Sequence, residues 1–199
     1  MNEKEKMLNG LKHNPVMDEN SIADRTVCKA KCFEYNNLNP AKIKERETLI
    51  KQILGKTGEN ILIEQPFICD YGAHIEVGEN FYSNHNMLIL DSAKVTFGKN
   101  VFVGPNCGFY TPQHPLDAEN RNKGFEYAFP IKVGDNVWFG GNVVVLAGVT
   151  IGNNSVIGAG SVVTKDIPDN VIAAGNPCKV IRKITEEDKH KFERDNYYS

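Results

Sequence analysis

The run VGDNVWFGGNVVVLAGVTIGNNSVIGAGSVVTKDIP, residues 133–168, divides into six hexads that begin at Val133. Its first column reads Val133, Phe139, Val145, Ile151, Ile157 and Val163, all large and apolar. The second column is glycine at Gly134, Gly140, Gly152 and Gly158. The fifth is Val137, Val143, Val149, Ser155, Ser161 and Ile167, small or β-branched. Six matches in the first column have a chance probability on the order of 10⁻³, even over six registers. A helix repeats near 3.6 residues and a lone strand at about 2, so neither explains a period of six. A short strand followed by a tight corner does. Each coil buries its apolar columns only by stacking on the next, which reads as a parallel β-helix with three hexads per coil. Handedness does not follow from the pattern, and right-handed crossovers are the physical default. Gly78, Gly98, Asn136, Asn142 and Asn153 are expected to supply unusual corner angles.

Working outward, the pattern reappears at Val77-Gly78, Ser83-Asn84 and Ile89-Leu90, then, after a slip of two, at Phe97-Gly98, Val103-Gly104 and Phe109. The stretch 110–132 interrupts it. The flanks read as helical. Ser21 with Asp24 would cap a helix over about 22–37. Asn39-Pro40 would be N-cap and first residue of a second helix ending before Gly55, with Ile43, Ile50, Ile53 and Leu54 facing inward. On that helix Glu45 and Glu47 interleave with Lys42, Lys44 and Arg46, as on a solvated face. Thr185 with Asp188 would open a terminal helix. The expected division is a helical cap over 1–58, a β-helix over 59–184 with a loop at 110–132, and a C-terminal helix over 185–199.

The 199 residues suffice for one domain with a sizeable core. Lys and Arg total 23 against 25 Asp and Glu, a balance that argues against nucleic acid as a partner. Mean hydropathy is −0.38 and no apolar run reaches the roughly 18–20 residues of a membrane span. The start, MNEKEKMLNG, is charged and lacks the apolar core of a signal peptide. Five cysteines without a CxxC point to neither a disulfide framework nor a zinc knuckle, so the expected compartment is the cytoplasm. Cys28 and Cys32 lie four apart on the first expected helix, where small core-facing residues fit better than a redox pair.

The hexads, the His-bearing interruption and the tail resemble the hexapeptide-repeat acyltransferases, most closely maltose and galactoside O-acetyltransferases. The resemblance is carried by CDYGAHIEVGENFYSNHN, by His114-Pro115, by the run from Asn136 to Pro168, by AAGNPCKVIRKI and by FEYN at 33–36. It covers nearly the whole chain. It implies a left-handed β-helix, a homotrimer, and acetyl transfer from acetyl-CoA to a sugar hydroxyl such as that of maltose, glucose or a galactoside.

His114 lies in TPQHP, stiffened by prolines. Attack of a hydroxyl on a thioester needs a base that later protonates the thiolate, and imidazole suits both roles. Glu126 would orient that ring and stabilise imidazolium. By resemblance, Asn84 steadies the oxyanion or holds the acceptor, and Asp70 bonds sugar hydroxyls. Ser92 follows Asp91 where some relatives carry an acidic residue, and Asp18 is the nearest match to an N-terminal acid that reaches the sugar. Gly141, Ala159, Gly160, Thr164 and Lys165 match cofactor positions along the repeat edges. Lys179 and Arg182 would meet the adenosine phosphates. Trp138, the lone tryptophan, points out of the coil and needs a partner subunit or the acyl arm.

No metal is expected. The competing readings are a zinc carbonic anhydrase-like β-helix using His74, His85 and His114, whose spacings of 11 and 29 residues fit poorly, and a non-catalytic scaffold. A covalent route through Cys107 is the rival to direct transfer.

Overall fold

A computed structural model describes residues 1–191. The chain is a left-handed parallel β-helix of about six turns with helices at its N-terminal end. Its three faces follow one another along the chain. The first stacks Ile61–Ile63, Phe81–Ser83, Phe102–Val103, Trp138–Phe139, Val156–Ile157 and Val171–Ala174 in parallel. Lys179–Lys183 closes that face antiparallel to Val171–Ala174. The second stacks Phe67–Cys69, Met87–Leu90, Gly108–Tyr110, Val144–Leu146 and Val162–Val163. The third stacks Ile75–Val77, Val95–Phe97, Ile131–Val133 and Thr150–Ile151.

The first hexad column is the interior: Val133, Phe139, Val145, Ile151, Ile157 and Val163 are all buried. Successive coils bring Phe97, Phe109 and Phe139 into edge-to-face contact at 4.9 and 5.4 Å between centroids, a favoured aromatic geometry. The corners differ from expectation. Asn136 and Asn142 do adopt left-handed angles, but Gly78 and Gly98 do not, and Asn154 rather than Asn153 takes the left-handed turn. Gly78 and Gly98 are glycine because a Cβ would meet the next coil at 2.4 and 2.2 Å. At the corner between third and first faces, the fourth-column asparagines form a side-chain ladder. Asn60, Asn80, Asn100, Asn136 and Asn154 each donate an amide N–H to the next asparagine, ending at Asn170, at 2.8–3.1 Å.

The cap begins with α1 (Glu3–Leu8), which the sequence reading did not anticipate. Helix α2 (Glu19–Asn37) is capped by Asp18, whose carboxylate accepts from the Ser21 N–H at 2.9 Å, so Ser21 is not its cap. Helix α3 (Ile43–Ile53) starts at Lys42, because Asn39 closes a local turn onto the Ala41 N–H instead. Its buried side chains are Arg46, Leu49, Ile50 and Ile53, while Ile43 is exposed. Arg46 therefore leaves the solvated face and pairs with Glu64 at 2.7 Å. Cys28 and Cys32 pack inward against Cys69, and all five cysteines are free. The FEYN segment fastens the cap to the coil: Asn36 exchanges two hydrogen bonds with Phe67, each 2.8 Å. At the other end Thr185 and Asp188 form a capping box on a 3-10 turn over Glu186–His190. The expected helix beyond residue 191 lies outside the described residues. No described helix is long and apolar enough to cross a membrane.

Candidate active site

Between the second and third faces the chain leaves the coil after Tyr110. It forms a short hairpin of Pro112–Gln113 with Tyr127–Ala128, bridged by helix α4 (Ala118–Asn122). His114 stands at this hairpin, exposed over a cavity of about 580 Å³. Asp70, Ser92, Glu126, Arg25 and Lys29 line the same cavity, with Val16, Leu90 and Leu146 as its apolar wall. Four residues singled out in the sequence thus converge.

His114 Nδ1 lies 3.1 Å from the Phe125 carbonyl oxygen. A carbonyl can only accept, so Nδ1 carries the ring proton and the neutral ring has its lone pair on Nε2. The backbone, not Glu126, therefore orients the ring. Glu126 sits instead beside Nε2, with Oε1 at 3.7 Å. Burial pushes the Glu126 carboxyl above its usual range, while His114, His13 and Arg25 pull it back. Burial also raises Asp70, opposed by Lys29 and Arg25. Both acids accordingly face a partly desolvated space with cations nearby, an environment that favours bonding to hydroxyls.

Arg25 and Lys29 were not read from the sequence. They sit four apart on α2 and reach the cavity only through the tertiary fold. Arg25 donates to Tyr71 Oη at 3.0 Å and to the Pro15 carbonyl at 2.9 Å, which pins the N-terminal segment beside the cavity. Asp18 caps α2 through Oδ2 and is not among the cavity's lining residues.

Asn84 is elsewhere. It lies at the corner between first and second faces, in a cavity of about 490 Å³ with Tyr82, Phe102, Trp138 and Gly141. Its Oδ1 accepts from the His85 N–H at 2.7 Å. Ala159 and Gly160 stack on this same corner, the Gly160 N–H donating to the Gly141 carbonyl at 2.9 Å. Thr164 and Lys165 follow Val162–Val163, at the end of the second face nearer His114. Within one chain, the second face separates the His114 cavity from the Asn84 corner.

Lys179 and Arg182 are exposed on the closing strand. Arg182 is held by Asp188 in a two-pronged pair at 2.7 and 2.5 Å, which keeps the Asp188 carboxyl well below the usual range. A phosphate there would compete with Asp188. Trp138 points outward, 51% exposed.

His74 and His85 each place Nδ1 on a backbone carbonyl, of Asp91 and Gln65, and neither lines the His114 cavity. Among the described residues, the one trio close enough to share a metal is Cys28, Cys32 and Cys69. Cys107 is 1% exposed, packs on the Gly140 carbonyl at 3.2 Å, and burial raises its thiol. Thiols in that setting are poor nucleophiles.

Known proteins share this sequence pattern and fold. Residues 6–58 match a family profile described as the maltose acetyltransferase hexapeptide capping motif, and residues 130–165 match bacterial transferase hexapeptide repeats. Galactoside O-acetyltransferase of Escherichia coli is 50% identical over 163 residues, 82% of this chain and 80% of that one. The crystal structure of a maltose O-acetyltransferase from Clostridium difficile 630 superposes with a TM-score of 0.91 at 49% identity, covering 94% of this chain and 99% of that one. A galactoside acetyltransferase in complex with coenzyme A gives 0.94 at 45% identity, covering 98% and 97%.

Proposed function

Since this chain belongs to the hexapeptide-repeat acetyltransferases of the maltose and galactoside type, we propose that it moves an acetyl group from acetyl-CoA directly to a sugar hydroxyl, with His114 as general base. The observation that carries the reading is the His114 ring, fixed through Nδ1 by a backbone carbonyl with Nε2 presented to a cavity of hydroxyl-bonding groups. The acceptor hydroxyl bonds Asp70 and Ser92 and gives its proton to Nε2 as its oxygen attacks the thioester carbonyl. The same nitrogen then protonates the leaving thiolate. Asn84 offers its amide to the developing oxyanion.

Asn84 and His114 come together only if one copy supplies each, so the working unit is an oligomer. The outward columns support this. On the first face they are Leu62, Tyr82, Phe102, Trp138, Val156 and Ile172, and on the second Ile68, Leu88, Gly108, Val144 and Val162. The third face presents Glu76, Thr96, Lys132 and Thr150. Two apolar faces beside one polar face fit a ring in which unlike faces meet. We assign it three copies, as the family resemblance implies. In the groove between copies, Gly141, Ala159, Gly160, Thr164 and Lys165 border the coenzyme arm, with Lys179 and Arg182 toward its phosphates. Five unpaired cysteines suit a reducing compartment, so we place the protein in the cytoplasm.

The test is thiol release from acetyl-CoA over a panel of maltose, glucose and galactosides, with chloramphenicol as a non-sugar control. The reading expects release with at least one sugar. Release with chloramphenicol alone would contradict it.

A further inference from the structure

His13 is fully buried, yet its Nε2 has no hydrogen-bond partner. Buried polar atoms are nearly all bonded, so this one needs a physical account. The other ring nitrogen, Nδ1, lies 3.0 Å from the Leu11 carbonyl and must carry a proton, so the neutral ring has its lone pair on Nε2. That lone pair faces Glu126 Oε2 at 4.0 Å, while Glu126 Oε1 is 3.7 Å from His114 Nε2. One carboxyl therefore stands between two imidazoles. The backbone builds this placement. The His13 N–H donates to the Glu126 carbonyl at 3.0 Å, the Glu126 N–H returns a bond to the His13 carbonyl at 2.8 Å, and the Asn14 amide holds the Lys123 carbonyl at 2.8 Å.

We propose that His13 is a positioning residue for acetyl transfer, drawing the Glu126 proton to the side away from His114 so that His114 Nε2 keeps its lone pair for the acceptor hydroxyl. The inference rests on His114 acting as the base. A proton on Glu126 Oε1 would be donated to His114 Nε2 and occupy the lone pair the reaction needs. A bare carboxylate would favour imidazolium at His114, which cannot accept a proton. A proton on Oε2, directed at His13 Nε2, avoids both. Burial favours the neutral form of Glu126. The charges facing the pair are Arg25 from α2, Asp70 from the coil corner, His114 from the hairpin and Glu3 from α1.

The proton count closes. As the hydroxyl oxygen bonds to the thioester carbonyl, its proton passes to His114 Nε2. As the 4.0 Å gap between Glu126 Oε2 and His13 Nε2 closes to hydrogen-bond distance, the Oε2 proton passes to His13, leaving a carboxylate beside the new imidazolium. When the C–S bond breaks, His114 protonates the thiolate and the second proton returns to Oε2. The net change is one proton carried from hydroxyl to thiol.

The experiment is a double-mutant cycle of His13→Phe with Glu126→Gln, read as kcat/KM across pH. His13→Phe should lower kcat/KM about tenfold or more near neutral pH, within the range of acid–base contributions, and move the acid limb of the profile upward. His13→Gln, whose amide oxygen can accept from Glu126, should restore the limb. In the Glu126→Gln background the His13 substitution should change kcat/KM by less than about twofold, because no carboxyl proton remains to be placed. An equal loss in both backgrounds, or a loss with an unmoved acid limb, would overturn the proposal. If His13→Phe does not fold, His13→Leu, which also lacks an acceptor for Glu126, carries the cycle: an acid limb displaced equally in the single variant and beside Glu126→Gln would overturn it too. His114→Ala is run alongside. An active His114→Ala removes the base assignment itself, whereas an inactive one with an additive cycle removes only the role of His13.

Discussion

Replacing Gly78 by alanine tests whether second-column glycines are set by coil stacking. A Cβ at Gly78 would lie 2.4 Å from the Gly98 carbonyl oxygen, 2.6 Å from its carbon and 2.9 Å from the Lys99 nitrogen, all main chain. Ordinary contact begins near 3.4 Å, so the coils must part locally by about 1 Å. The Gly78 N–H to Phe97 carbonyl bond, now 3.0 Å, would then stretch to about 4 Å and be lost. Overpacking and one or two lost bonds together cost about 2–4 kcal/mol. For a chain of this size that is about 5–15 °C in Tm. Gly141→Ala is the control: the nearest atoms to its Cβ belong to Pro105 at 3.4 Å, and its backbone angle is not left-handed. It should melt no lower than wild type, since removing unfolded-state freedom contributes about 0.4–1 kcal/mol. Melting followed by far-UV circular dichroism, with chemical denaturation beside it, decides the matter. A Gly78→Ala protein melting within about 2 °C of wild type, or a Gly141→Ala protein equally damaged, would refute the stacking argument.

Asn100→Ala removes two rungs of the asparagine ladder and a left-handed residue at φ 55°. It should cost about 1–3 kcal/mol in denaturant unfolding, with Asn100→Gly closer to wild type. Asp91 is fully buried with Oδ2 unpartnered, and burial raises its carboxyl. The folded state therefore holds that proton to higher pH than the unfolded chain, so stability should fall as pH rises from about 4. Asp91→Asn should flatten that slope in melts taken across pH, and an unchanged slope would exclude Asp91 as its source. Trp138→Glu puts a charge in the outward apolar column and should shift sedimentation from the oligomer toward the monomer. An unchanged sedimentation coefficient would remove the first face from the interface.

The period of six was enough to find the coil, because one large apolar residue per strand must point inward whatever the loops do. It could not say which residue bends the corner. Glycine looked like the source of unusual angles, yet Gly78 and Gly98 answer to a neighbour one coil away, while Asn80 and Asn100 take the turn. The glycine column marks where coils touch, but the local sequence does not tell contact from backbone angle. The same limit applies at the site. His114, Asp70, Ser92 and Glu126 were readable from an interruption in a repeat and a family resemblance, and they share one cavity. Asp18, read as an acid that reaches the sugar, also stands three before a serine, which describes a helix cap, and the cap forms. His13 gave no signal at all, since its partner Glu126 is more than a hundred residues away and neither belongs to a periodic stretch.

On the proposed mechanism, His114 takes the acceptor's proton in a direct transfer. The most direct measurement compares wild type and His114→Ala for thiol release from acetyl-CoA with a competent sugar, beside acetyl-CoA binding and intact mass of the enzyme. Direct transfer through His114 predicts a fall in kcat of at least about 10²-fold with binding nearly unchanged, and no acetylated protein. Turnover above about a tenth of wild type, or an acetyl group on Cys107 after incubation with acetyl-CoA alone, would contradict it.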